Sequence, residues 1–269
     1  MRKSVKHFMK MLLWLPISLL LLPGCSQIAV LNPAGPVARS EMKLIIWSFV
    51  LMAFVVLVVL VLYVYILIKY RARPGNEDYE PEQDGNKTLE IIWTVIPIII
   101  VILLAIPTVK TIYSLVQPPE QSQANPVTIN VTSVNWKWIF QYPDEKVETV
   151  NYVVIPTNRP VEFRLSAVGP MNSFWVPELG GQEFSMPGHE LKLWLQADKV
   201  GDFLGRSANF SGQGFTHMTF HVLSKNQSDY DKWVQEVKQT APPLTKDKYK
   251  ELMEPGLVPK MTFSSYDLP

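Results

Sequence analysis

Residues 44–68 read "LIIWSFVLMAFVVLVVLVLYVYILI", 25 residues without one Asp, Glu, Lys or Arg. At a helical rise of about 1.5 Å per residue they cover about 37 Å, enough to cross a hydrocarbon core of roughly 30 Å with some tilt. This run is a transmembrane helix. A second uncharged run, "IIWTVIPIIIVILLAIPTV" at residues 91–109, is 19 residues long and spans with little to spare. Its Pro97 and Pro107 would break a soluble helix, but a membrane helix tolerates them where neighbouring groups satisfy the freed carbonyls. The two runs, joined by residues 69–90, make a two-helix hairpin.

The chain flanking the hairpin gives its orientation. Lys69, Arg71 and Arg73 sit at the end of the first span, as on a cytoplasmic flank, and the acids that follow weigh little in that rule. Residues 1–24 begin with Arg2, Lys3, Lys6 and Lys10, continue with an apolar run of about a dozen residues and end in Pro23-Gly24 before Cys25. That is a secretion signal. Its end resembles a bacterial lipobox, with Leu22 and Gly24 in place and Pro23 unusual in the middle position, which makes Cys25 the expected site of lipid attachment. Cys25 is the single cysteine of the sequence. The exported part therefore holds no disulfide and no thiolate metal site of its own. Signal and positive flank agree on the topology: segment 25–43 and everything after the second span lie outside, and the protein belongs to the bacterial plasma membrane.

The remainder is soluble in character. Formal charge is +1 over 269 residues, with 25 basic and 24 acidic side chains, so no basic surface points to nucleic acid. After the linker "VQPPEQSQANP", residues 118–225 break into short strand-like runs: "VTINVTSVNWKWIFQYP", "VEFRLSAV", "HELKLWLQA" and "FTHMTFHVL". They predict an all-β barrel or sandwich. In residues 226–269, "SDYDKWVQEVKQ" predicts a helix behind a Ser228 cap with Tyr230, Trp233, Val234 and Val237 on one face, followed by an irregular, Pro-punctuated tail.

Four motifs in order carry a resemblance: "LEIIWTVIP" opening the second span, then "NWKWIFQYP", "NSFWVPELGG" and "GRSANFSGQGFTHM". Over residues 41–238 the chain resembles subunit II of the haem-copper respiratory oxidases, which implies a cupredoxin-like barrel for the exported domain. In members that oxidise cytochrome c, that domain binds two coppers through two cysteines four apart, a carbonyl between them, a later histidine and methionine, and a histidine on an earlier strand. Set against this pattern, Ser207 and Ser211 stand at the cysteine positions, Phe215 at the later histidine and Asn172 at the earlier one. Met218 alone remains. Serine hydroxyls are hard and stay protonated near neutral pH, so they do not replace soft bridging thiolates. The site reads as degenerate and not metal-binding.

A replacement site built on His217 and His221 fails on strand geometry, because residues four apart lie about 13 Å from each other at roughly 3.3 Å per residue. These two, like His189, read as surface or packing histidines. Loss of the copper centre resembles the quinol-oxidising branch, in which quinol delivers electrons directly to the catalytic subunit. The resemblance then implies a non-redox subunit of a proton-pumping quinol:oxygen oxidoreductase. It carries no cofactor in this chain; haems and one copper belong to subunit I, its partner, alongside further small membrane subunits and membrane quinol but not cytochrome c. Menaquinol and ubiquinol both stay open, with the short loops and Lys-rich tail favouring menaquinol. A reading of another class is a membrane-anchored cupredoxin-like module that delivers or binds copper alone, which would be extracted as a single chain.

Two features admit two readings each. Trp136, Trp138, Phe140 and Tyr142 lie where copper-bearing relatives pass electrons, but without copper they read as strand residues packing the barrel. Glu90 is a carboxylate at the cytoplasmic start of the second span, favourable near a helix N-terminus. In the family the glutamate before this Trp-Thr-x-x-Pro motif lies by the mouth of a proton channel, which makes Glu90 a candidate for proton entry.

Overall fold

A computed structural model of the protein describes residues 28–71, 85–119 and 125–266. The signal, Cys25 and most of the loop between the spans lie outside the described residues. Helix α1 is Pro36–Lys69 and helix α2 is Lys87–Leu115, so each extends past the uncharged run that announced it. Proline at the first turn of α1 costs nothing there, since that N–H has no intrahelical acceptor. The side chain of Asn86 caps α2 by accepting from the amides of Thr88 and Leu89. Within their uncharged runs both helices are apolar around the full circumference and lack an amphipathic stripe, the pattern of an element facing lipid and partner helices.

The exported domain is a cupredoxin-like sandwich of two sheets. The first has the order β11-β3-β2-β1-β5-β8, formed by Met261–Phe263, Val147–Val150, Lys137–Tyr142, Val127–Val134, Val161–Val168 and Leu191–Leu195. The second has the order β4-β10-β9-β6-β7, formed by Tyr152–Pro156, Thr219–Lys225, Gly201–Ser207, Asn172–Trp175 and Gln182–Ser185. Parallel pairs β1/β5 and β4/β10 join otherwise antiparallel ladders. The chain changes sheets at Asn151, between β3 and β4, where φ is +58. Asparagine tolerates that left-handed conformation, and here its side chain accepts from the amide of Trp138 and donates to the carbonyl of Val258.

Alternation along β1 buries Val127, Ile129 and Val131 against the facing sheet, the period-2 pattern of a half-buried strand. Trp138, Phe140, Phe163, Phe174 and Phe220 fill the centre, with Phe174 and Phe220 stacked at 4.7 Å and Trp138 edge-on to both. Trp138, Phe140 and Tyr142 are thus strand residues packing the core. Trp136 is not: it occupies the turn between β1 and β2 with φ +73.

The C-terminal region departs from the expected irregular tail. Helix α3, Gln227–Thr240, starts after Asn226, earlier than a Ser228 cap would set it and without a side-chain cap bond, and buries Tyr230, Val234 and Val237. Helix α4, Lys246–Met253, follows, and the chain then adds β11 antiparallel to β3 as the edge strand of the first sheet. A buried ammonium fixes this return. Lys137 Nζ donates to the carbonyls of Leu252 and Glu254 at 2.9 and 2.6 Å, where the C-terminus of α4 presents its negative dipole end. Desolvation lowers the Lys137 pKa, against the opposing pull of Glu254 and Glu251.

The outer end of α1 is stitched to the sandwich. Ala34 donates its amide to the carbonyl of Glu178 and accepts from the amide of Asp198, and Ala38 donates to Leu179. The Glu41 carboxylate accepts from the amide of Gly181 at 2.8 Å, and Arg39 pairs with Asp198. Ala34, Val37 and Ala38 are buried beneath these bonds. Membrane anchor and exported domain therefore share one packed junction.

Candidate functional site

Strands β9 and β10 are joined by residues 208–218, the loop in which the resemblance places Ser211, Phe215 and Met218, with Ser207 at the end of β9 and Asn172 at the start of β6. The amide of Ser207 donates to the carbonyl of Met218 at 3.1 Å and closes the loop's neck, while Ala208 donates to Ser173 and ties it to β6. Gly212 adopts φ +109, open to glycine and strained for other residues. The indole of Trp136 lies against the loop: its Nε1 donates to the carbonyl of Ser211 at 2.9 Å, and a Cβ on Gly214 would come within 2.4 Å of its ring. Glycine at 214 is what allows that close approach.

The structure brings Asn172 and Ser207 together and separates the rest. Both are buried, and the Ser207 hydroxyl lies 3.3 Å from Asn172 Oδ1 and 3.2 Å from the carbonyl of Asn209. The amide nitrogen of Asn172 donates to the carbonyl of Pro170 at 3.0 Å and to the Ser133 hydroxyl at 3.2 Å. Ser133 in turn pairs with Ser185 at 2.9 Å, whose hydroxyl bonds the carbonyl of Ser166. The result is a chain of neutral hydrogen bonds through the buried interior, in which Asn172, Ser133 and Ser185 each donate and accept while the single Ser207 proton is shared between Asn172 Oδ1 and the carbonyl of Asn209. Ser211 has its carbonyl on Trp136 and its buried hydroxyl without a partner. Phe215 turns to the surface, its ring edge-on to exposed Phe210 at 5.7 Å, and Met218 is buried.

This donor set does not fit a thiolate-bridged copper pair. It offers one thioether and no thiolate or imidazole, and its two buried polar side chains, Asn172 and Ser207, are already engaged with each other and with neighbouring protein groups. Among the described residues no cluster of three His, Cys, Asp or Glu side chains occurs. His217 lies in a 3-10 turn, Phe215–His217, and not in a strand; only His221 belongs to β10. His221 Nδ1 lies 2.7 Å from the Asp202 carboxylate on β9, and exposed His189 has only the carbonyl of Pro187 at 3.3 Å. Among the described residues neither belongs to a group of ligands that could hold a metal.

Glu90 lies in the first turn of α2, its amide donating to the Asn86 carbonyl and its own carbonyl accepting from the Thr94 hydroxyl at 2.7 Å. The carboxylate turns back towards the helix start: a Cβ on Gly85 would lie 2.9 Å from its Oε1. Asn86 has already satisfied the first free amides, so the carboxylate is not used as a cap.

The family model for the cytochrome c oxidase subunit II transmembrane domain matches residues 25–111, and the model for the subunit II periplasmic domain matches residues 145–225. The chain belongs to the cytochrome c oxidase subunit II family. Among curated relatives, this subunit II is 58% identical over 267 residues to "Quinol oxidase subunit 2" of Bacillus anthracis, covering 98% of this chain and 92% of that one. It is 48% identical over 250 residues to the protein of the same name from Bacillus subtilis strain 168, covering 92% and 78%. To "Probable quinol oxidase subunit 2" of Staphylococcus haemolyticus it is 44% identical over 248 residues, covering 92% and 65%. Two spanning helices and a domain of the periplasmic type make this subunit II a membrane-anchored protein with its sandwich on the outer side.

The groups that complete the site leave no local mark in the sequence. Ser133 and Ser185 lie on β1 and β7, far in sequence from the loop, and nothing local marks them as partners of Asn172. Trp136 was grouped with its strand neighbours because "NWKWIF" alternates; Asn135 and Trp136 together at positive φ form a turn that the alternation hides.

Proposed function

We infer that this chain is subunit II of a haem-copper quinol:oxygen oxidoreductase, in which it carries no redox centre. The observation that carries the reading is the bond between Ser207 and Asn172. At two positions where a copper-bearing relative places thiolate and imidazole, this chain has a hydroxyl and an amide bonded to each other and otherwise to neighbouring protein groups. The loop is held closed by protein groups alone and needs no metal to keep its shape. Electrons then enter the complex from quinol, and the reading requires a donor other than cytochrome c.

The role of the chain is assembly and shaping of the outer face, with haems and the oxygen-reducing copper in subunit I. Cys25 anchors the exported N-terminus through lipid. Glu90 admits protons at the inner surface; its support is the carboxylate left free by the Asn86 cap.

The test is purification of the complex through a tag on this chain, with metal analysis and oxygen uptake on quinol and on reduced cytochrome c. Haem with one copper per complex and turnover on quinol alone is the expected result. Two further coppers, turnover on cytochrome c, or extraction of the tagged chain without a haem-bearing partner would each overturn the reading.

A further inference from the structure

Where the two spans leave the membrane on the side of the sandwich, a groove of about 530 Å³ opens between α1 and α2. Its floor is apolar, formed by Trp47, Leu103, Ile106 and Pro107, and its rim carries Lys43 and Thr111. Ser40 also borders an adjoining groove of about 390 Å³ that includes Lys110 and Ser114. The two lysines mark one depth. Lys43 immediately precedes the first uncharged run and Lys110 immediately follows the second. Both therefore sit at headgroup level, while the floor lies at the level of acyl chains.

Neither ammonium has a carboxylate within ion-pair distance among the described residues. Among the described residues no acidic side chain borders either groove. Two unpaired cations beside a hydroxyl, above an apolar cleft large enough for a ligand chain, complement one chemistry: a phosphate ester with a hydrocarbon tail. A protein helix seated here would bury both ammonium groups unless it brought its own acids, at a cost that a phosphodiester avoids.

We propose that this groove binds an anionic phospholipid of the outer leaflet, its phosphate between Lys43 and Lys110 and one acyl chain along Trp47, Leu103 and Ile106. The lipid fills the cleft below the junction of anchor and sandwich.

The experiment uses the assembled complex in detergent and two photoactivatable probes, a phosphatidylglycerol and a phosphatidylcholine with the label in the same acyl chain, with crosslinks mapped by peptide mass spectrometry. The expected result is labelling of peptides containing Trp47 and Ile106 by the phosphatidylglycerol, about tenfold above the phosphatidylcholine. The double variant Lys43→Gln/Lys110→Gln loses that preference, and Lys43→Arg/Lys110→Arg keeps it, which separates charge from a failure to assemble. Equal labelling by both probes, a preference unchanged in the glutamine variant, or no labelling of these peptides because a partner helix covers the groove would overturn the proposal.

Discussion

The indole nitrogen of Trp47, on α1, donates to the carbonyl of Leu103, on α2, at 3.2 Å. Leu103 is four residues before Pro107, so its carbonyl is the one that proline leaves without an intrahelical donor. A tryptophan from the neighbouring span supplies the missing bond, and the irregularity of one helix becomes a tie between two. Interhelical bonds in membranes average about 0.6 kcal/mol and reach about 1.7.

Trp47→Phe should therefore weaken the hairpin by about 1 kcal/mol, since a freed carbonyl in lipid keeps few alternatives. In a Pro107→Ala background the amide at 107 returns and the same substitution should cost less. Thermal denaturation of the four species in one detergent gives the coupling. Additive losses would mean that Trp47 acts by packing alone.

Asn172→Leu keeps the volume of the side chain and removes the centre of the buried polar chain. Ser207 retains the carbonyl of Asn209 and Ser133 retains Ser185, so the loss is partial, about 2 kcal/mol. The loop 208–218 should become more sensitive to protease, while quinol oxidation per assembled complex stays at the wild-type level. A large fall in turnover without a fall in assembly would give Asn172 a role beyond scaffold.

The hairpin and the sandwich were legible because their signals are periodic: uncharged runs of 25 and 19 residues, and alternation in β1, β5 and β10. The positions of the loop and of Asn172 were legible as a set, since serine, phenylalanine and asparagine at them are a matter of residue identity. The hydrogen bonds that hold them were not. The bonds of Asn172 join strands from both sheets, and no window of sequence contains them. The same holds for Lys137, which reads as a polar residue opening a strand yet is buried under a segment more than a hundred residues later. That contact explains why residues after α3 fold back as β11, when their prolines suggest an irregular tail.

Glu148, on β3, is fully buried, with Oε2 accepting from Gln141 at 2.8 Å and Oε1 without a partner. Desolvation pushes its pKa up to about 7, against the lowering bond from Gln141. The folded state thus holds this proton more tightly than the unfolded one, so the contribution to stability is complete below about pH 4.5 and is lost as pH rises through about 7. Glu148→Gln should remove that loss: little difference from wild type at pH 5, and a variant more stable by about 3 kcal/mol at pH 8. Denaturant unfolding of the full chain at both values reads it. The same difference at pH 5 and pH 8 would rule out titration of Glu148.

Glu90→Ala leaves the Asn86 cap in place, so α2 should keep its start and the complex its haem content. If the carboxylate admits protons, oxygen reduction slows several-fold and the loss deepens as pH rises and protons become scarce. Unchanged turnover in a fully assembled variant would reduce Glu90 to a favourable charge at a helix N-terminus, worth about 0.5 kcal/mol.

The junction of anchor and sandwich depends on Gly35 for a reason that is steric rather than conformational, because its backbone is extended at φ −151. A Cβ there would lie 1.9 Å from the backbone carbonyl of Gln196. Backbone cannot swing aside as a side chain can, so Gly35→Ala must part the two segments and break the bonds of Ala34 to Glu178 and Asp198. The expected cost exceeds about 3 kcal/mol, read as protease cleavage near residue 35 and a changed distance between spin labels on α1 and β8. Gly85→Ala is the contrast, since its Cβ meets only the far end of Glu90 and should cost less than about 1 kcal/mol. Equal tolerance of both substitutions would mean that the anchor's outer end is not held against the sandwich as this contact requires.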